Sequence, residues 1–292
     1  MKNKKEKKAK RNKKHAGLHF RNYTAAEKTY MCLYKKFDSA CEVATKISLQ
    51  QGGIETDGRG IRAANIFTRQ LLTAYSFKRL LPELRTGSDP DKGIWDVTTI
   101  ALVSRSIMEN FQALYYYGTE DISEVEADFR FHIFQKDRNA KWRDIRIKAG
   151  SSAEELADFT VGVPEQRKRI SNHEFYRTLT KDKQTRINSR AEMYYSKADF
   201  EERCPRLANI ELHYQLLSNL AHPLPLAIDR IDELSGHGEP CDADITLINV
   251  SLGVASDCLI GSIEEMGIKF ADTIGAEFRP LIKKLVEYPD CI

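Results

Sequence analysis

From Tyr23 to Gln50 the apolar and aromatic residues Tyr30, Leu33, Tyr34, Phe37, Cys41, Ala44 and Ile47 recur mainly at intervals of three and four, which places them on one face of a helix. Gly52 and Gly53 end that pattern. A second helix is predicted from about Ile61 to Leu81, stopped near Pro82, and GSDPDKG, Gly87 to Gly93, reads as a loop. The stretch that follows, VTTIALVSRSIMENFQALYYY from Val97 to Tyr117, differs from its neighbours because its only formal charges are Arg105 and Glu109. A helix that is apolar nearly all round is normally central and buried, so this segment is expected to organise the fold.

Beyond Gly118, Ile122 to Ile147 reads as an amphipathic helix with aromatics at Phe129, Phe131, Phe134 and Trp142, predicted to pack across the central helix. Ser152 to Lys197 is polar and interrupted by Gly162 and Pro164. Short helices are expected there, the first opened by a capping box in SAEE, Ser152 to Glu155. The run PRLANIELHYQLLSNLAHPLP reads as one helix from Pro205 to His222, with Leu207, Ile210, Leu212, Leu216, Leu217 and Leu220 inside and Pro223 and Pro225 ending it. A polar linker containing Gly236, Gly238 and Pro240 precedes an apolar helix from about Ala243 to Ala271. A last helix runs from Ala276 to Tyr288. No stretch alternates with period two, so the fold class is all-α: a multi-helix bundle forming a single helical domain from about residue 21. The three least charged segments, near 97–117, 205–222 and 243–271, should share its core, since none has enough polar surface to face water.

Charge modifies this picture at one end only. Residues 1–14, MKNKKEKKAKRNKK, carry nine Lys or Arg against Glu6, so the chain's net charge of +3 is +8 from this tail and −5 from everything after it. A block of like charges with no apolar face builds no core, so residues 1–20 are expected to be a disordered basic tail able to touch RNA or another acidic surface. It has no apolar h-region of a secretory signal, and a cytoplasmic location is expected. No run reaches the roughly 18 apolar residues of a membrane span. The nearest, Ile245 to Ser262, contains Asn249, Gly253 and Asp257 and reads as a core helix, so no membrane partner is expected.

The six cysteines, Cys32, Cys41, Cys204, Cys241, Cys258 and Cys291, include no C-x-x-C pair and are expected to be reduced thiols, mostly in the core. The paired E-x-x-H motifs of a di-iron bundle are absent. Asp128 and His132 stand four apart, while Glu211 and His213, two apart, point to different helix faces. Neither a phosphate-binding G-x-x-x-x-G-K-[ST] loop nor G-x-G-x-x-G occurs, so no metal and no cofactor is implied.

The chemistry therefore rests on Arg105, Glu109 and His222. Arg105 and Glu109 are four apart, on one helix face, and each charge in an apolar helix needs a partner. Glu109 can pair Arg105 while leaving guanidinium donors free. The segment ending at His222, where the backbone dipole favours a positive charge, is the best supplier of further acceptors. Tyr214, Ser218 and Asn219 are its hydrogen-bonding candidates. An attack by a ribose 2′-hydroxyl needs a base, which His222 could provide, and a cation for phosphorane charge, which Arg105 could provide. The alternative is a non-catalytic helical module that binds a protein partner, with the same three residues as a structural cluster.

An R-x-x-x-E helix, Arg105 to Glu109, followed about a hundred residues later by Tyr214-x-x-Leu217-Ser218-x-x-x-His222-Pro223, resembles a family of uncharacterised, mainly bacterial all-helical proteins (DUF5677-like) over roughly Ile61 to Ala271. That family in turn resembles the HEPN helical bundles, whose ribonuclease members use an R-x4-6-H motif. The resemblance implies a helical bundle and a defence- or toxin-type protein acting on RNA. The three places where the HEPN arginine would precede His222 are Leu217, Leu216 and Gln215. The cation would then have to come from Arg105 on the neighbouring helix.

Overall fold

A computed structural model describes residues 23–82, 95–189, 192–222, 225–228, 241–289 and 291, and among them every regular element is helical. The basic tail, the Gly87–Gly93 loop and the Gly236–Pro240 linker lie outside the described residues.

Helix α1 (Ala25–Gln50) opens on a capping box: Thr24 N donates to Glu27 Oε2 at 2.9 Å and Glu27 N donates to Thr24 Oγ1 at 3.2 Å. Helix α2 (Gly58–Leu80) begins where Asp57 accepts from Gly60 N at 2.6 Å. Helix α3 (Val97–Leu114) begins at Asp96, which accepts from Thr99 N at 3.0 Å, and runs into a π-turn, Tyr115–Thr119. Each start satisfies amide N–H groups that the first turn leaves without partners. The chain continues through α4 (Glu124–Lys148), α5 (Ala157–Asn172), α6 (Glu174–Thr178), α7 (Lys181–Asn188) and α8 (Lys197–Arg203). After the 3₁₀ turn Pro205–Leu207 come α9 (Ile210–Ala221), α10 (Pro225–Ile228), α11 (Asp242–Lys269) and α12 (Phe278–Val286).

The core is one contiguous cluster to which α1, α2, α3, α9 and α11 all contribute, including Phe37, Phe67, Ile107, Phe111, Leu217 and Leu259. Helix α11 packs against α1 and α3, and α3 also packs against α2 and α9. The three least charged segments thus meet. Helix α11 is also the one helix among the described residues long and apolar enough to cross a membrane; 72% of its most apolar window is buried inside the bundle, as a core helix requires. Ser104 Oγ fastens α3 to α11 by donating to the Ser251 carbonyl at 2.7 Å. The two helices are tightly packed at Gly261, where a Cβ would lie 2.6 Å from Cζ of the fully buried Phe111. Gly261→Ala is therefore expected to lower stability by about 1–3 kcal/mol through overpacking, measurable by urea denaturation.

Five expectations are corrected. Helix α3 is not apolar all round: Leu102 and Glu109 are exposed, so one of its faces is open. Helix α4 packs on α5, α6 and the π-turn rather than across α3, because its buried residues, Phe129, Arg130, Ile133 and Lys136, face those elements. Gly162 and Pro164 do not interrupt the chain: α5 runs through both, while Ser152 and Glu155 make their reciprocal bonds in the turn before it. The Pro205–His222 segment is broken at Asn209, which is left-handed (φ 60), a conformation Asn tolerates better than most residues. Leu212 beyond that break is exposed.

The fifth correction concerns the thiols. Cys32 and Cys291 are joined in a disulfide, Cα–Cα 5.5 Å, that ties the chain's end to α1. Burial pushes the Cys41 thiol up to about 12 and the Cys204 thiol up to about 11. The thiolate is the nucleophile, so folded protein at pH 8 should alkylate rapidly at partly exposed Cys241 alone. Cys32 and Cys291 should join it only after reduction. Peptide mass spectrometry reads both outcomes.

Candidate functional site

The open face of α3 carries the polar cluster. Arg105 Nε donates to Glu109 Oε1 at 2.9 Å, with 20% of the arginine and 46% of the glutamate side chain exposed. Arg105 Nη2 donates to Tyr214 Oη on α9 at 2.6 Å, and the guanidinium carbon lies 4.4 Å from the centre of that ring. Arg105 Nη1 lies 3.5 Å from Nε2 of His222, the residue that ends α9, at the limit of hydrogen bonding. One guanidinium therefore gathers Glu109, Tyr214 and His222. The sharing is geometric: α9 packs directly on α3, and the residues of α9 that face the core, Ile210, Leu217 and Leu220, orient the helix so that Tyr214 meets Arg105.

Ser218 and Asn219 do not join this cluster. Ser218 Oγ is buried without a hydrogen-bond partner. Asn219 Nδ2 donates to the Gln215 carbonyl one turn back, at 2.8 Å. Asn219, five residues beyond Tyr214, projects from another face of α9, whereas Ser218, four beyond, shares the Tyr214 face but makes no hydrogen bond to the cluster.

The site borders two open cavities. One, of about 710 Å³, has His222, Arg69 and Leu102 in its wall. The other, of about 920 Å³, is lined by Tyr214, Lys197, Arg186 and Lys141. Arg69, Arg105 and Glu109 belong to both walls. Lys197, at the start of α8, places its ammonium 3.5 Å from the centre of the Tyr214 ring and pairs with Glu211 at 3.1 Å. Arg69 and Lys197 escape a reading of the sequence, where each is one basic residue among many on a polar stretch.

A second and fully buried cluster also escapes that reading. Arg130 and Glu120, 2% and 3% exposed, are bonded at 2.7 Å. Arg130 also donates to the Tyr116 carbonyl at 2.6 Å and to Tyr195 Oη at 2.6 Å, and its guanidinium lies 4.1 Å from the Tyr116 ring centre. Burial by itself would lower the arginine's pKa, but Tyr194, Tyr116, Glu120 and Tyr195 together hold it above its ordinary value. The widened π-turn permits three consecutive tyrosines to be buried: Tyr115 donates to the Arg203 carbonyl at 2.8 Å, Tyr117 donates to the Glu192 carbonyl, and Tyr116 faces Arg130. With no open face, this cluster is architecture that supports the wall of the larger cavity through Tyr117 and Tyr195.

His173 joins the Asp128–His132 pair: Nε2 of both imidazoles lies near Asp128 Oδ2, at 3.3 Å for His173 and 3.4 Å for His132. Among the described residues no group of three or more His, Cys, Asp or Glu is arranged to hold a metal ion. Comparisons with protein-family models, with curated proteins and with solved structures found no match to this chain.

Proposed function

We propose that the open face of α3 binds single-stranded RNA and cleaves it by attack of a ribose 2′-hydroxyl on the adjacent phosphorus. The observation that carries this reading is the shared guanidinium. A guanidinium has five N–H donors, and the contacts of Arg105 with Glu109, His222 and Tyr214 leave one on each terminal nitrogen. Two parallel N–H groups are the fork that suits a phosphate. His222 lines one cavity and Tyr214 the other, with Arg105 in both walls; an in-line displacement, which needs its base and its acid on opposite sides of phosphorus, would draw one from each.

In this reading His222 Nε2 exchanges its 3.5 Å contact with Arg105 for the substrate hydroxyl and takes the 2′-hydroxyl proton as the O2′–P bond forms. Arg105 stabilises the charge that develops on the phosphoryl oxygens. The P–O5′ bond breaks, and the leaving O5′ takes the phenolic proton of Tyr214, whose oxygen accepts from Arg105 and whose own hydrogen is free to be given. The products are a 2′,3′-cyclic phosphate and a 5′-hydroxyl. Water then returns the His222 proton to Tyr214. Glu109 orients the guanidinium. The HEPN-like expectation enters here in altered form, with the arginine supplied by a neighbouring helix. The basic tail would add salt-sensitive attraction for the strand.

The test is incubation of end-labelled single-stranded RNA with the full chain in chelator-containing buffer. Fragments ending in 2′,3′-cyclic phosphate are expected. Intact RNA, or fragments bearing 5′-phosphates, would overturn the reading.

A further inference from the structure

A third cavity, of about 610 Å³, lies between α4 and α5, lined by Lys136, Asp137, Lys141 and Asp144 of α4 and Arg167 and Lys168 of α5. Asp137 and Lys141 also belong to the wall of the cavity that holds Tyr214. The three cavities therefore adjoin in series, from His222 through Arg105 and Lys197 to Lys141 and on to Arg167.

The third cavity is built around a buried ammonium. Lys136 is 6% exposed, and its Nζ donates to the Ile187 carbonyl in the last turn of α7 at 2.7 Å. A buried ammonium normally sits against a carboxylate. Here the neighbouring Asp137 carboxylate is bonded to Lys141 at 2.9 Å, and among the described residues no ion pair engages Lys136, Arg167 or Lys168. Burial lowers the Lys136 pKa, Asp137 partly opposes it, and Arg167 adds a smaller lowering. An anion entering the cavity would relieve both effects, and the cavity falls within the ordinary size range of ligand sites.

We infer that the cavity between α4 and α5 is a second phosphate subsite for the same RNA strand, receiving backbone phosphates several nucleotides from the bond held at Arg105. This rests on the RNA reading of the Arg105 face. It assigns Lys136, Arg167 and Lys168 to strand binding and leaves them out of the chemistry. Short strands should occupy the Arg105 face alone, and only longer ones should reach the second subsite.

The test measures fluorescence anisotropy of 2′-O-methyl RNA, which cannot be cleaved, as a trinucleotide and as a dodecanucleotide across a salt series. Arg167→Gln/Lys168→Gln changes two exposed side chains and should leave the fold intact. The double variant is expected to bind the dodecanucleotide roughly tenfold more weakly at low salt, and its salt slope should be shallower by about 1.4, at about 0.7 for each phosphate of a single strand that is no longer neutralised. Trinucleotide binding, and the cleavage rate on unmodified trinucleotide, should be unchanged. Lys136→Met, which keeps the length and removes the charge, should act in the same direction.

Unchanged dodecanucleotide binding in both variants, or equal losses on both lengths, would overturn the subsite while leaving cleavage at Arg105 standing. A wild-type chain that binds neither length would overturn the subsite and the RNA reading together.

Discussion

Arg130→Met is expected to cost about 3–5 kcal/mol of folding stability, the range for removing one partner of a buried, hydrogen-bonded ion pair. Arg130 and Glu120 are both almost wholly excluded from water, and the guanidinium also satisfies the Tyr116 carbonyl and the Tyr195 hydroxyl. Methionine fills much of the space, so the loss reports unpaired polar groups more than a cavity. Glu120 would keep Arg203 and Tyr195 as partners but would lose its buried cation. The double variant Glu120→Gln/Arg130→Met should recover part of the loss, because it removes the more buried of the two carboxylate charges, Glu120 and Glu126, left without Arg130. Urea denaturation of the two single variants and the double variant gives the coupling directly. A loss below about 1 kcal/mol would mean that water reaches the cluster and that the aromatic wall around it is not closed.

The large predicted effects on activity are at Arg105 and His222. Arg105→Lys should slow RNA cleavage by about 10²–10³-fold, the scale for losing a donor aimed at developing negative charge, while the melting temperature stays near that of the wild type. Lysine keeps the charge but cannot hold Glu109, Tyr214 and His222 at once, nor offer two parallel N–H groups to a phosphate. Stability should change little because the ion pair is partly exposed, and exposed pairs contribute at most about 1 kcal/mol. His222→Ala should lose about 10²–10⁴-fold, as expected for removing a general base. The two activity losses should not add when combined, since both act on one transition state. If instead stability and activity fall in parallel, Arg105 serves only to tie α9 to α3. Full cleavage by both variants would exclude the cluster from the chemistry and favour a protein-binding module.

Much of the architecture is written locally. The three- and four-residue spacing from Tyr30 to Ile47 and the capping residues Thr24, Asp57 and Asp96 act within one or two turns, so the helices and their starts can be read without tertiary information. The Arg105–Glu109 pair is equally local. That His222, with Tyr214 or Ser218, would meet it followed from a general cost, because a charge in a largely apolar helix must find partners and few segments could supply them; the structure chose Tyr214. Tertiary structure decided which face of α3 stayed open, and so made the pair part of a cleft rather than of a dry core. It also selected Arg130 and Lys136, two cations on a helix crowded with them, for burial beside Glu120 and the Ile187 carbonyl. No spacing rule links residues 116, 120, 130, 194 and 195, nor Cys32 to Cys291. Whether a side chain is buried depends on which elements pack over it, and that choice is made by the summed contacts of the whole bundle rather than by any one stretch of chain.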